Sequence, residues 1–165
     1  MSARSLWARI AFGVAAAVVT FLAVPIPAPA PERTGSLVAA ALGTALGIVL
    51  FAALAQVRPA LPKRIDVTGA QLCFLVGWAW VEEMLWRRLL LGGLAVIAGA
   101  ALGLIVATAL FALAHQEGRG TQVATGATFG AAYLTTGRLL AAFAAHAVYN
   151  ILVAGSRRST AEQLA

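Results

Sequence analysis

The chain is expected to be an all-α membrane protein, a polytopic bundle of about six transmembrane helices, and three observations carry this expectation. Of its 165 residues, 61% are hydrophobic and 11% charged, less than half the charged fraction of a typical soluble domain. Apolar stretches recur along the whole length, separated by short breaks bearing proline, glycine or charge. Gly and Ala are abundant, which suits helices that associate in lipid by close backbone approach, because lipid supplies no hydrophobic drive between them. The expected organisation is one multi-pass domain, residues 1–165, with two spans (1–66) before a core at about 67–153 and a polar tail at 156–165.

Taken in order, Leu6 to Val24 has about the length a tilted helix needs to cross the hydrocarbon core. The basic start and Ala28-Pro29-Ala30 also fit a secretory signal, but the prolines at 25, 27, 29 and 31 remove amide donors that a cleavage site would present, so this stretch is read as a span. After the proline-rich connection from Pro25 to Gly35 comes a second span, Leu37 to Val57, with Gly43 and Gly47 at small-xxx-small spacing for packing. Arg58 to Asp66 is a polar break. Val67 to Leu91 reads as a third helix, Ala100 to His115 as a fourth, Val123 to Leu134 as a fifth, and Leu139 to Val153 as a sixth. The tail from Ser156 is expected to be disordered.

The net charge of +6 does not indicate nucleic acid, because the Arg residues form no stripe with interleaved aromatics. They flank apolar spans instead. Arg4 and Arg9, then Arg58, Lys63 and Arg64, then Arg157 and Arg158 suit cytoplasmic flanks, which puts the amino terminus on the cytoplasmic side; the expected location is a bacterial cytoplasmic membrane. The single cysteine, Cys73, excludes an internal disulfide and reads as packing.

Against this background six polar residues stand out, since an ionisable side chain at the bilayer centre costs at least about 2.5 kcal/mol and is a functional-site hypothesis by default. Glu83 and Arg87 are spaced i, i+4 and can neutralise each other on one helix face. Glu82 points about 100° away and is the carboxylate left over; desolvated, it suits general base catalysis. The plain alternative is that Glu82, Glu83, Arg87 and Arg88 form a structural charge cluster or a cytoplasmic helix end. His115 ends the fourth helix. If the hairpin turns near Gly99, Glu82 lies 17 residues before the turn and His115 16 after it, at similar depth; a corner at Gly92-Gly93 would separate them. Beside Gln116 and Glu117, His115 is also what an ordinary helix end carries. His146 and Asn150, i, i+4 on the sixth helix, project to one side and each has a donor that could face an oxyanion, or could serve as interhelical glue.

One carboxylate and two histidines also make a ligand set for a divalent metal such as zinc. No HExxH pair is present, and the histidines lie 31 residues apart, so a metal is not required.

Glu82-Glu83-Met84-Leu85-Trp86-Arg87 resembles an EExxxR motif, Phe111 to His115 an FxxxH motif and His146 to Asn150 an HxxxN motif. Their order, together with Phe129 to Gly137, resembles the CPBP family of intramembrane proteases, which includes CAAX prenyl endopeptidases and bacteriocin-processing or immunity (ABI) proteins, over about Trp80 to Leu152. The resemblance implies a glutamic-type protease, formerly described as a metalloprotease, in which Glu82 and His115 activate water, His146 and Asn150 hold the oxyanion, and Glu83 and Arg87 brace the site. Where the family often has Phe-Arg-Gly, this chain has Trp86-Arg87-Arg88. With only two spans before the core, a docking surface for a large prenylated protein is short, so the expected substrate is a different membrane-associated protein or peptide, such as a C-terminal sorting or anchor segment.

The expectation is therefore an intramembrane endopeptidase whose cavity lies between the third, fourth and sixth helices, with no nucleic-acid partner. Its rival is a non-catalytic immunity or scaffold protein of the same family, which would tolerate Glu82→Gln where a protease would not. A small proton-coupled transporter is a third reading, weakened by the lack of paired broken helices in matching halves.

Overall fold

The computed structural model describes residues 34–54, 67–115 and 118–163, together with isolated helical positions at 11, 13–15 and 18–19. Most of the expected first span, the connection at 25–33, the break at 58–66 and the pair Gln116-Glu117 lie outside the described residues. Among the described residues there is no strand. The helices are α1 (Ser36–Leu54), α2 (Gly69–Glu83), α3 (Gly92–Ala98), α4 (Ala100–Ala114), α5 (Arg119–Thr136) and α6 (Leu139–Gln163), with a π-helical segment, Met84–Leu91, joining α2 to α3.

Two of these helices are long and apolar enough to cross a membrane, Ser36–Leu54 and the Leu139–Ser156 part of α6. The distribution of polarity points the same way. Large apolar side chains lie outside, with Leu37 87% and Ile97 84% exposed, while Glu83, Arg87 and His146 are buried. A surface of exposed aliphatic residues around a charged interior is what lipid selects and water does not.

Local chemistry sets the boundaries. Thr68 caps α2 with a reciprocal box: its hydroxyl accepts from the Gln71 amide, and the Gln71 side chain accepts from the Thr68 amide, which satisfies donors a helix start leaves open. Beyond Glu83 the expected continuous α-helix instead widens into the π segment, where the Gly92 N–H reaches back to the Arg87 carbonyl. Such segments insert one residue into a helix and re-aim the side chains around them. The helix then passes straight through Gly92-Gly93, with Gly92 at φ −59, and turns at Gly99, whose φ of +85 and ψ of 156 are open essentially to glycine alone. Gly103 lets α4 return close to α3, since a Cβ there would sit 3.0 Å from the Ala95 nitrogen.

Three boundaries differ from the sequence reading. The third helix continues past Leu91 to Ala98, because nothing before Gly99 breaks it. α5 begins at Arg119 rather than at Val123. α6 runs to Gln163 where a disordered tail was expected from Ser156; residues 156–163 contain neither proline nor glycine, so the helical ladder propagates without interruption.

The core joins Leu50, Leu91, Ala107, Phe129, Tyr133, Ala142 and Ala145. α1 lies directly on the backbone of α6: a Cβ on Gly43 would collide with the Ala141 carbonyl, and one on Gly47 would come within 2.5 Å of the Ala145 carbonyl oxygen. The two spaced glycines are thus the seam that sets the position of α6, one residue ahead of His146.

Candidate active site

Because the hairpin turns at Gly99, the end of α2 and the end of α4 return to the same depth. The His115 Nε2 lies 3.9 Å from Glu82 Oε1, and the His146 Nε2, from α6, lies 3.5 Å from Glu82 Oε2. Each carboxylate oxygen of Glu82 therefore faces a different imidazole.

The outer nitrogens of both histidines are committed elsewhere. His115 Nδ1 lies 2.7 Å from the Phe111 carbonyl oxygen, which can only accept, so Nδ1 carries the proton of that bond. His146 Nδ1 lies 2.8 Å from Glu83 Oε1. Glu83 Oε2 in turn meets Arg87 Nε at 3.2 Å, an ionic contact that lacks hydrogen-bond alignment. Paired with a guanidinium, Glu83 is an acceptor, and His146 Nδ1 donates to it. On both rings Nε2 is left to act toward Glu82 and the cavity.

Glu83 and Arg87 are 0% and 2% exposed. Arg87 is held on all sides: its guanidinium lies over the Phe111 ring at 4.7 Å and near Phe129 at 5.6 Å, and one nitrogen donates to the Gly126 carbonyl oxygen at 3.4 Å. Planar, permanently charged and weakly hydrated, guanidinium suits this buried, aromatic-lined slot better than ammonium would. Phe129 also stacks on His146 with ring centroids 4.9 Å apart.

Glu82 instead lines a cavity of about 210 Å³ with Trp78, His115, Gln122, Thr125, Tyr149 and Asn150 among its walls. A larger space of about 620 Å³ adjoins it, sharing Gln122, Tyr149 and Asn150 and continuing past Thr121 and Val153. Asn150, one turn after His146, faces both. Among the described residues no group of three or more His, Cys, Asp or Glu side chains is arranged to hold a metal ion.

All six residues singled out from the sequence thus lie around one centre: Glu82, His115, His146 and Asn150 at the cavity, Glu83 and Arg87 behind it. Two contributors to the cavity wall were not anticipated from the sequence. Trp78 donates its indole N–H to Glu82 Oε1 at 2.6 Å; its position one turn before Glu82, at i−4, was the available signal. The fifth helix, left out of the expected site, supplies Gln122, Thr125 and Phe129, a face at i, i+3 and i+7 whose first two members are polar.

The model of the type II CAAX prenyl endopeptidase Rce1-like family matches residues 65–152, more than half of the chain. The chain belongs to this family. The match begins just before the Thr68 cap and ends just beyond Asn150, so it takes in every residue named above for the smaller cavity around Glu82. Rce1-like proteins are an integral membrane protease family, in keeping with the two apolar helices. No curated protein and no solved structure matches the chain.

Proposed function

We propose that the chain is an intramembrane endopeptidase that hydrolyses peptide bonds of a membrane-associated protein or peptide, with Glu82 as the base. The observation that carries this is the placement of Glu82 between two imidazole nitrogens whose partner nitrogens are already occupied.

His115, whose Nδ1–H donates to the Phe111 carbonyl oxygen, turns Nε2 toward Glu82 Oε1. The 3.9 Å between them admits one water that donates to both acceptors, leaving an oxygen lone pair free to attack a carbonyl carbon. Glu82 takes the proton and returns it to the leaving amine. The new oxyanion is met by His146 Nε2–H and the Asn150 carboxamide. In this scheme His146 uses both ring nitrogens, Nδ1–H toward Glu83 and Nε2–H toward the oxyanion. Glu83 and Arg87 hold His146 in place, and the scheme uses only the chain's own groups, with no metal. The larger space beyond Asn150, lined by neutral residues, would receive the substrate segment next to the scissile bond.

The test is cleavage by the purified chain in liposomes, using quenched fluorescent peptides randomised over four positions and tethered by an acyl anchor, with new termini read by mass spectrometry. Wild type cleaves; Glu82→Ala and His115→Ala, at equal protein levels, do not. Equal cleavage by wild type and both variants, or none by wild type, sinks the reading.

A further inference from the structure

We propose that Trp78 is a positioning residue for the hydrolytic reaction, holding the Glu82 carboxylate in the orientation that gives one oxygen to each histidine. This rests on the reading of Glu82 as the base.

The terminal torsion of a glutamate is soft and roughly two-fold, so nothing in Glu82 itself decides which way its oxygens point. The Trp78 indole does. Its Nε1–H is a donor with no acceptor capacity, and at 2.6 Å from Oε1 the contact is just shorter than the usual N–H···O range of about 2.7–3.2 Å. The oxygen it holds is the one facing His115, which leaves Oε2 to His146. Released from the indole, the carboxylate is free to swing toward His146, 3.5 Å away, and close the position where water is shared with His115.

The indole is itself fixed. Phe74, one turn earlier, stacks on it at 6.2 Å and 15°, and a Cβ on Gly13 would come within 3.3 Å of its Cζ3. Gly13, which precedes the family match at residue 65, thus lies against the ring that aims the base.

The experiment separates the N–H from the ring. Trp78 is replaced by Phe and, by amber suppression, by β-(3-benzothienyl)alanine, which keeps the bicycle and puts sulfur in place of N–H. In lipid nanodiscs, the ¹⁵N-indole spectrum of the chain with its four tryptophans loses one signal in Trp78→Phe, which assigns it. That signal is expected well downfield of the others, moving back among them in Glu82→Ala; a Trp78 signal unmoved by Glu82→Ala overturns the proposal. In the liposome assay, both replacements are expected to lower kcat by about tenfold to a hundredfold, the range for a lost hydrogen bond to a charged group, with KM unchanged. Full activity with benzothienylalanine and loss only with Phe assigns Trp78 to packing and overturns it. A downfield signal in a chain that cleaves nothing leaves the bond standing but removes the protease reading, and with it this role for Trp78.

Discussion

Glu82 and Glu83 are adjacent in sequence and inhabit different chemistry. Glu83 is sealed, with Arg87 on one oxygen and His146 on the other. Glu82 faces a cavity, with an indole and two imidazole nitrogens around it. The cause is helical geometry: a rotation of about 100° per residue aims one carboxylate at the packed seam with α5 and α6 and the other at open space. His146 stands between them and couples the two, so the sealed side orients what the open side uses. Two like residues in sequence thus divide into one that faces open space and one that holds His146 from behind.

The sharpest way to break this division is to neutralise each carboxylate in turn. Glu82→Gln is expected to lower cleavage by about 10²–10⁴-fold, the usual contribution of a general base, while thermal unfolding in detergent stays close to wild type. Glu83→Gln is expected to do the reverse first: it leaves the buried Arg87 without its counter-charge, a loss of about 3–5 kcal/mol, read as a lower unfolding midpoint in denaturant, with activity falling as His146 loses its anchor. If Glu83→Gln unfolds like wild type and Glu82→Gln does not, the assignment is backwards.

Much of this was legible before any coordinates. Membrane character followed from composition, and the split between Glu82 and Glu83 from i, i+4 spacing, because both depend on local rules. The meeting of Glu82 with His115 depended on where one hairpin turns; both Gly92-Gly93 and Gly99 were available corners, and only backbone conformation separates a glycine tolerated in a helix from one that ends it. The π segment had no sequence signal, since side-chain periodicity over one turn does not distinguish it from α-helix. The Glu83–His146 bond escaped for a different reason: it joins residues 63 apart, and spacing rules on one helix do not register partners on another.

Asn150 gives a smaller effect on the open side alone. Asn150→Ala removes one of the two oxyanion donors in the proposed scheme, and the expected loss is about 10²-fold in kcat, with KM and the unfolding midpoint little changed. Single-turnover measurements on the anchored peptides check it. A loss confined to KM would move Asn150 from the oxyanion to the substrate groove, which it also lines.

The least direct way to reach the site is through α1. Gly47→Ala introduces a Cβ 2.5 Å from the Ala145 carbonyl oxygen, and a backbone atom cannot turn aside as a side chain can. The expected penalty is about 1–3 kcal/mol of overpacking, relieved by α1 moving off α6. Because Ala145 adjoins His146, that movement reaches the ring bridging the two carboxylates, so kcat is expected to fall beyond what lost stability explains at temperatures where the variant remains folded. Gly93→Ala is the matched control: it sits inside α3, nothing lies within 4 Å of its Cβ position, and the change is expected to stabilise by up to about 1 kcal/mol, since alanine is the better helix former. Thermal melts and cleavage rates for the pair separate a helix-propensity effect, which would give both variants the same sign, from a seam that holds His146 in register, which gives them opposite ones.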